Sequence, residues 1–516
     1  MILKKDWRIS GGTIERMSTP VSNLRQRFYD INALQMAGAM MDWDHQCYMP
    51  EGAAEARAEH GSILSRMHHE MLVGDETRKL IDAAAADPSD SDWSAEEVSA
   101  FLRVAQRSYD LATKIPTDLV AKKSKLSALA HEKWVQARAN NDFASFAPTL
   151  EQMFDIAREE AEHLGYTGHI YNALLDQYEE GATVDDCNRM YGALKGPNKA
   201  LIDAIQASSV KPDDSKLYGS WDESKQRDFT LKIVSEIGFD MKRGRQDTAA
   251  HPFCTNFSMN DVRLTTRFKD YIGSAIFGSL HEAGHGMYEQ GSPQKYDRTP
   301  LCGGVSLGIH ESQSRTWENI VGRSKSFWKR YLPELQKAFP ELSSFDLDTW
   351  YAAINKVNPS YIRVEADEVT YNMHTLVRFE IECEVLENKL AIKDAAEAWN
   401  AKYEAYLGIR PRNDGEGILQ DVHWSAALIG YFPTYSMGNL LSYQIWNKLQ
   451  ADVGDTDALM EEGNFAPILT WLQEKVYSKG CVKMPRDLVM EVTGKPMGAE
   501  DYVEGLQKKY AEIYNL

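Results

Sequence analysis

The sequence has few cysteines, and none are paired at ligand or redox spacing. Six stand in 516 residues, Cys47, Cys187, Cys254, Cys302, Cys383 and Cys481, with no C-x-x-C. That excludes a disulfide framework and a cysteine zinc cluster, and it fits reduced thiols in the cytoplasm. No run of about eighteen apolar residues occurs, so no transmembrane helix is expected. Met1–Leu24 mixes Lys4, Lys5, Asp6, Arg8, Glu15 and Arg16 with scattered apolar residues, leaving no apolar core for a signal peptide. Long Lys/Arg blocks are also missing. The chain carries 57 Lys plus Arg against 76 Asp plus Glu, a net charge of −19. Such a balance repels phosphate backbones and anionic lipid, so neither nucleic acid nor membrane is an expected partner. The short basic stretch Lys242, Arg243, Arg245 reads as a solvated loop end rather than a phosphate patch. There is no internal repeat and no low-complexity tract.

What is present describes a packed globular body, with 43% hydrophobic and 26% charged residues. Apolar residues recur at helical spacing in Leu80–Ala86, Leu150–Leu164, Met190–Ile205 and Trp350–Val357. Breaks fall at Asp87–Ser94, Ser208–Lys225 and Gly291–Gly304, none long enough for a disordered linker. The expected fold is mainly α, one unit over residues 1–516 with two lobes, about 1–225 and 226–516, around a cleft. One stretch departs from that period: His251–Phe257 and Asp261–Phe268 alternate loosely around Ser258–Asn260 and predict a β-hairpin. An exposed strand edge there could hold a peptide by main-chain hydrogen bonds. The cluster Met36, Met40, Met41 reads as core packing and His68-His69-Glu70 as a surface helix segment.

Phe268–Gln290 reads as one helix, stopped by Gly291 and Pro293. It carries His281-Glu282-Ala283-Gly284-His285. Histidines at i and i+4 are about 6 Å apart along the axis and about 40° apart around it, so both rings can reach one ion. Glu282 sits about 100° round, beside the ion, where it can take a proton from activated water. With 13 His in the chain, chance supplies roughly 0.03 such patterns.

A catalytic zinc usually has three protein ligands. The extended pattern H-E-x-x-H-x-x-G-x-x-H is excluded, because Tyr288 stands at its glycine and Gly291 at its last histidine. A carboxylate from a second helix is the other solution. Glu311, in Ile309-His310-Glu311-Ser312-Gln313, follows a Gly303-Gly304 connection able to turn the chain back across the first helix. Glu289 competes from the same face as the histidines, but three ligands along one straight helix cannot close tetrahedrally on one ion. Asp297 is a further donor in the loop.

These residues resemble the M32 metallocarboxypeptidases, the group related to carboxypeptidase Taq. The signatures run in order: His251-Pro252-Phe253, Asp261-x-Arg263-x-Thr265, His281-Glu282-x-x-His285, His310-Glu311-Ser312-Gln313, Ile362-Arg363-x-x-Ala366-Asp367 and Gly417-x-x-Gln420-Asp421-x-His423-Trp424. Trp43-Asp44, Met49-Pro50 and Gly52 fit as well, and no motif position departs. The resemblance implies His281, His285 and Glu311 as metal ligands and Glu282 as general base. It further implies a zincin-type, gluzincin-like helical fold with a deep groove, a cytoplasmic homodimer, and broad removal of single residues from peptide C-termini. Zinc is the default ion for His/His/Glu, with cobalt or another divalent ion allowed.

Two further tasks need residues. The oxyanion needs a donor besides the ion, and His423, Tyr431 and Tyr435 are candidates. A free C-terminal carboxylate calls for a guanidinium fork, and Arg363 and Arg410 lead Arg263 and Arg412. Asp367, Tyr371, His374 and Arg378 form a polar stripe that lines either the groove or a solvated helix face. His310 is expected behind the ligands or facing substrate. Two rival readings stand beside the carboxypeptidase: a zinc oligopeptidase cutting internally, and an inert helical scaffold with a vestigial site. The presence of Glu282 argues against the scaffold, since a structural zinc needs no base.

Overall fold

The computed structural model describes residues 7–10, 13–16 and 18–516, the first two stretches as backbone alone. Those two form an antiparallel pair, β1 (Trp7–Ser10) and β2 (Thr13–Arg16). The reading of Met1–Leu24 as free of a signal peptide falls largely outside the fully described residues. Helices make up most of the rest, as the periodicity predicts.

Helix α1 (Pro20–Cys47) starts where Thr19 and Ser22 cap each other reciprocally and Pro20 takes the first turn, where its missing N–H costs nothing. Val21, Leu24, Phe28 and Ile31 bury one face at three- and four-residue spacing. Beyond Ile31 that face opens, and the methionine cluster is not core: Met40 is 44% exposed and Met36 and Met41 are half-buried. Met36 lines a cavity of about 450 Å³ that α1 also walls with Ile31, and α2 (Ala54–Val73) with His68 and Leu72. His68 thus faces this cavity, while Glu70 is exposed.

Three apolar clusters hold the body. One joins residues 130–205 to 351–514, a second surrounds the HExxH helix, and a third ties the N-terminal helices to Tyr296 and Leu301 in the loop after that helix.

The predicted hairpin is present, with shifted bounds. Strand β4 (Cys254–Ser258) pairs antiparallel with β5 (Asp261–Thr266), and His251–Phe253 precede the strand. A third strand, β3 (Gly244–Thr248), pairs parallel with β5, so the sheet order is β3-β5-β4 with β4 at an edge. The basic stretch is a loop end, as expected, with Lys242 and Arg243 in the turn before β3 and Arg245 just inside the strand. Arg243 pairs with Asp240, and Arg245 with Asp247 inside β3. Gly-Arg-Gln-Asp-Thr has weak strand propensity, and its pairing with β5 overrides it.

The HExxH helix α3 spans Gly273–Gln290 rather than starting at Phe268. Its predicted first turn is diverted into pairing with the 217–219 segment: Asp270 O accepts from Gly219 N–H, and Ile272 N–H donates to Leu217 O. Its end matches expectation, with Gly291 N–H closing on Met287 O. Helix α4 (Leu307–Arg315) lies between α3 and a later helix, α6 (Pro433–Val453). Both crossings require glycine. A Cβ on Gly284 of α3 would stand 2.5 Å from Gln313 O, and one on Gly438 of α6 would stand 2.5 Å from the Glu311 side chain. These close approaches bring Glu311 onto the two histidines.

Candidate metal centre

His281 and His285 present their Nε2 atoms to one carboxylate oxygen: Glu311 Oε2 lies 3.6 Å from the first and 3.4 Å from the second. All three ligand atoms fall within 4.8 Å of one another. A tetrahedral ion at about 2.0–2.2 Å from its ligands places them about 3.3–3.6 Å apart, so this donor set fits a divalent cation such as zinc. Glu289 and Asp297, the other two donors considered, are not in the cluster.

Each ligand is held from behind. His281 Nδ1 lies 2.8 Å from Glu318 Oε2, and His285 Nδ1 lies 2.6 Å from His310 Nδ1. Arg315 donates to Glu311 Oε1 at 2.7 Å and to Glu318 Oε2 at 3.1 Å, while Ser314 Oγ donates to Glu311 Oε2. Arg315 and Glu318 were not anticipated. Glu318 sits in a π-helical turn, Thr316–Val321, that continues α4. Its spacing of seven from Glu311, with Arg315 between them, was the available signal. Such turns recur at functional sites because they re-aim side chains that a regular helix would send elsewhere.

The electrostatics follow from burial and neighbours. Burial pulls the His281 imidazole down, but Glu311 and Glu318 outweigh it and lift its pKa to about 9. His285, backed by an imidazole instead of a carboxylate, is pulled down to about 4 by burial. Burial pushes the Glu311 carboxyl up, yet Arg315 and His281 hold it well below the usual range. Glu282 is buried beside the ligands and pushed up to about 7, by burial first, with Glu311 and Glu318 adding and His281 opposing.

The downstream candidates gather around a buried ion cluster. Arg363 sets Nε and one terminal nitrogen against Asp421, at 3.2 and 2.9 Å, and its other terminal nitrogen against Tyr371 Oη at 2.6 Å. Arg378 reaches the opposite oxygen of Asp421 at 2.5 Å. Tyr435 lies under the Arg363 guanidinium at 4.9 Å, and its hydroxyl is 3.2 Å from His423 Nε2. Tyr431 packs edge-on between Tyr178 and Tyr435, and its phenol, like that of Tyr435, feels the charge of Glu311. The stripe on α5 (Tyr371–Leu386) is not a solvated face: Tyr371, His374 and Arg378 are all buried in this cluster.

The other arginines lie elsewhere. Arg410 is exposed and paired with Glu397 and Glu404, and Arg412 is paired with Glu416. Arg263 pairs with Asp261 and stacks on Trp43 at 4.2 Å, clamping the end of α1 to the sheet. Arg410 pairs with carboxylates of the helix Ala395–Leu407, which ends just before it.

A helix carrying HExxH, a glutamate ligand from a second helix and an edge strand alongside define a zincin-type metallopeptidase. Comparison with known proteins narrows the class. The family model for carboxypeptidase Taq (M32) metallopeptidase matches residues 23–510, so the chain belongs to that family. It is 38% identical to thermostable carboxypeptidase 1 of Thermus thermophilus over 491 residues, 93% of this chain and 96% of that protein. It is 37% identical to carboxypeptidase 1 of Bacillus subtilis, covering 96% and 100%. Among solved structures, the M32 carboxypeptidase of Deinococcus radiodurans R1 superposes with a TM-score of 0.93 at 36% identity, covering 97% and 100%. Metallocarboxypeptidase 1 of Trypanosoma cruzi gives 0.90 at 31% identity, covering 95% and 99%. The chain is thus a metallocarboxypeptidase, a peptide hydrolase.

Proposed function

We propose that this enzyme removes single residues, with broad specificity, from the free C-termini of peptides, with Zn²⁺ held by His281, His285 and Glu311. The observation that carries the reading is the place of Glu282: buried beside the three ligand atoms, with no hydrogen-bond donor among the described residues engaging its carboxylate. A bound divalent cation there supplies Lewis-acid activation of water and of the scissile carbonyl. Glu282 takes the proton of the attacking water and returns it to the leaving amine. Tyr435 or Tyr431 donates to the developing oxyanion, supported by their nearness to Glu311, and His423 orients Tyr435.

Arg363 receives the substrate's terminal carboxylate. A guanidinium has five N–H donors, and among the described residues its hydrogen-bond acceptors here are the Asp421 carboxylate and the Tyr371 hydroxyl. Two cations around one Asp421 also leave this cluster a net positive charge, which favours an anion beside it. The resemblance to the family supports a homodimer, and the six free cysteines support a cytoplasmic location. No helix among the described residues is long and apolar enough to cross a membrane.

The test is peptide hydrolysis followed by mass spectrometry. Stepwise loss of C-terminal residues is expected, with no cleavage when the C-terminus is amidated. Continued cutting at internal bonds of the amidated peptide would favour an oligopeptidase.

A further inference from the structure

The two metal-site histidines are backed by different chemistry. His281 has a carboxylate behind it, whereas His285 has a second imidazole, and that imidazole has a carboxylate of its own: His310 Nε2 lies 2.7 Å from Glu289 Oε1. Two facing ring nitrogens share one proton, so the direction of the chain must be fixed from one end. A carboxylate only accepts, so Glu289 places a hydrogen on His310 Nε2. In the neutral ring His310 Nδ1 then accepts, His285 donates from Nδ1, and His285 Nε2 keeps its lone pair toward the ligand position. Reversing the inner hydrogen bond puts a hydrogen on His285 Nε2, and a nitrogen bearing hydrogen cannot ligate.

Glu289 is built for this task. It is buried, and two more donors fix its oxygens: Asn256 Nδ2 from β4 at 2.8 Å and Gly304 N–H at 3.3 Å. It lies four residues beyond His285 on the ligand face of α3, yet its carboxylate turns to His310 and the Gly303-Gly304 connection instead of the Nε2 atoms. His310 precedes Glu311 on α4, so one short helix delivers both the third ligand and the support for the second.

We propose that Glu289, acting through His310, is a positioning residue that holds His285 in its ligating tautomer and so sets the affinity and geometry of the metal site. The inference rests on the His/His/Glu site, and its readout needs no substrate, so a failure of the peptidase reading would leave it testable.

The experiment measures zinc dissociation constants by chelator competition on the full chain, and the visible spectrum of the cobalt(II)-loaded protein. Glu289→Leu and His310→Phe are each expected to loosen zinc about 10- to 100-fold. The double variant should lose no more than the worse single, because one residue acts through the other. Glu289→Gln, whose carbonyl can accept the same His310 proton, should return to within about threefold of wild type with the wild-type cobalt bands. Wild-type affinity in both singles, or losses that add in the double, would overturn the proposal. Should the apolar variants not fold by circular dichroism, Glu289→Gln against His310→Lys decides, since an ammonium can pair with Glu289 but cannot accept the His285 Nδ1 proton: equal affinities overturn it, and a tenfold or larger loss confined to His310→Lys supports it.

Discussion

The guanidinium of Arg363 meets the carboxylate of Asp421 at 2.9 Å in the interior, with both side chains almost wholly removed from solvent. Arg378, fully buried, presses on the other oxygen of the same carboxylate. These two cations hold the Asp421 carboxyl far below its usual range against the opposing effect of burial. Removing the shared anion leaves two like charges facing each other out of water. Asp421→Asn is therefore expected to destabilise the fold by about 3–5 kcal/mol, read as a drop in thermal midpoint and in soluble yield. A midpoint within a degree of wild type would show that the cluster is not the electrostatic unit described.

The same geometry separates the two leading arginines. Arg363→Gln should raise KM for peptides with a free C-terminus and lower kcat/KM by roughly 30- to 100-fold, the loss of a charge-assisted pair of about 2–3 kcal/mol. Arg410→Ala removes only an exposed pair with Glu397 and Glu404, and kcat/KM should be unchanged. Steady-state kinetics on one tripeptide series checks both, and the reverse pattern would move the carboxylate site to Arg410.

Glu282→Gln tests the base directly. The amide keeps the shape of the side chain but cannot take a proton, so kcat should fall at least about 10²- to 10⁴-fold. Metal content, measured by elemental analysis, should match wild type because Glu282 is not among the three ligand atoms. Unchanged turnover would end the mechanism, and a metal-free variant would make Glu282 a ligand.

Metal removal should cost activity but not the fold. The apolar clusters around α3 and elsewhere are extensive and draw on segments from Val21 to Tyr514, unlike small domains whose folding energy is the metal's. Chelator-treated protein is expected to lose activity and keep its far-ultraviolet circular dichroism, with activity returning on zinc or cobalt addition. Loss of helical signal with the metal would contradict this.

Several parts of the site are legible in the sequence for a physical reason. The i, i+4 histidines and intervening glutamate follow from helical geometry alone, and Glu311 follows from the need for a ligand off that helix. Glu318 is legible only through its spacing of seven from Glu311, and it is a π-helical turn that brings it behind His281. Strand β3 is hidden because its residues are polar and its partner, β5, lies thirteen or more residues on. Arg363 and Arg410 look alike in sequence, and only the fold shows one enclosed with Asp421 and the other at the surface. Glu289 has the right face for a ligand, and its side chain's turn toward His310 depends on a loop whose path no local pattern announces.

Glu179 links stability to pH through the ligand-bearing helix. It is 7% exposed, and its Oε2 accepts the Gly308 N–H at 2.8 Å, pinning the first turn of α4 three residues before Glu311. Burial pushes its carboxyl up to about 7, against the lowering effect of the Gly308 bond. A folded-state value raised above the unfolded one, near 4.5, means that the contribution to stability is fully present below pH 4.5. It is lost as pH rises toward 7, because the unfolded chain ionises this group first. Glu179→Gln keeps an acceptor for Gly308 and removes the titration. The variant's thermal midpoint, relative to wild type, should therefore rise by roughly 1–3 °C between pH 4.5 and 7.5 and level off above that. Glu382, also pushed up to about 7 by burial, is present in both proteins and cancels in the difference. A difference that stays flat from pH 4.5 to 8 would show that burial does not raise the Glu179 carboxyl in the folded enzyme.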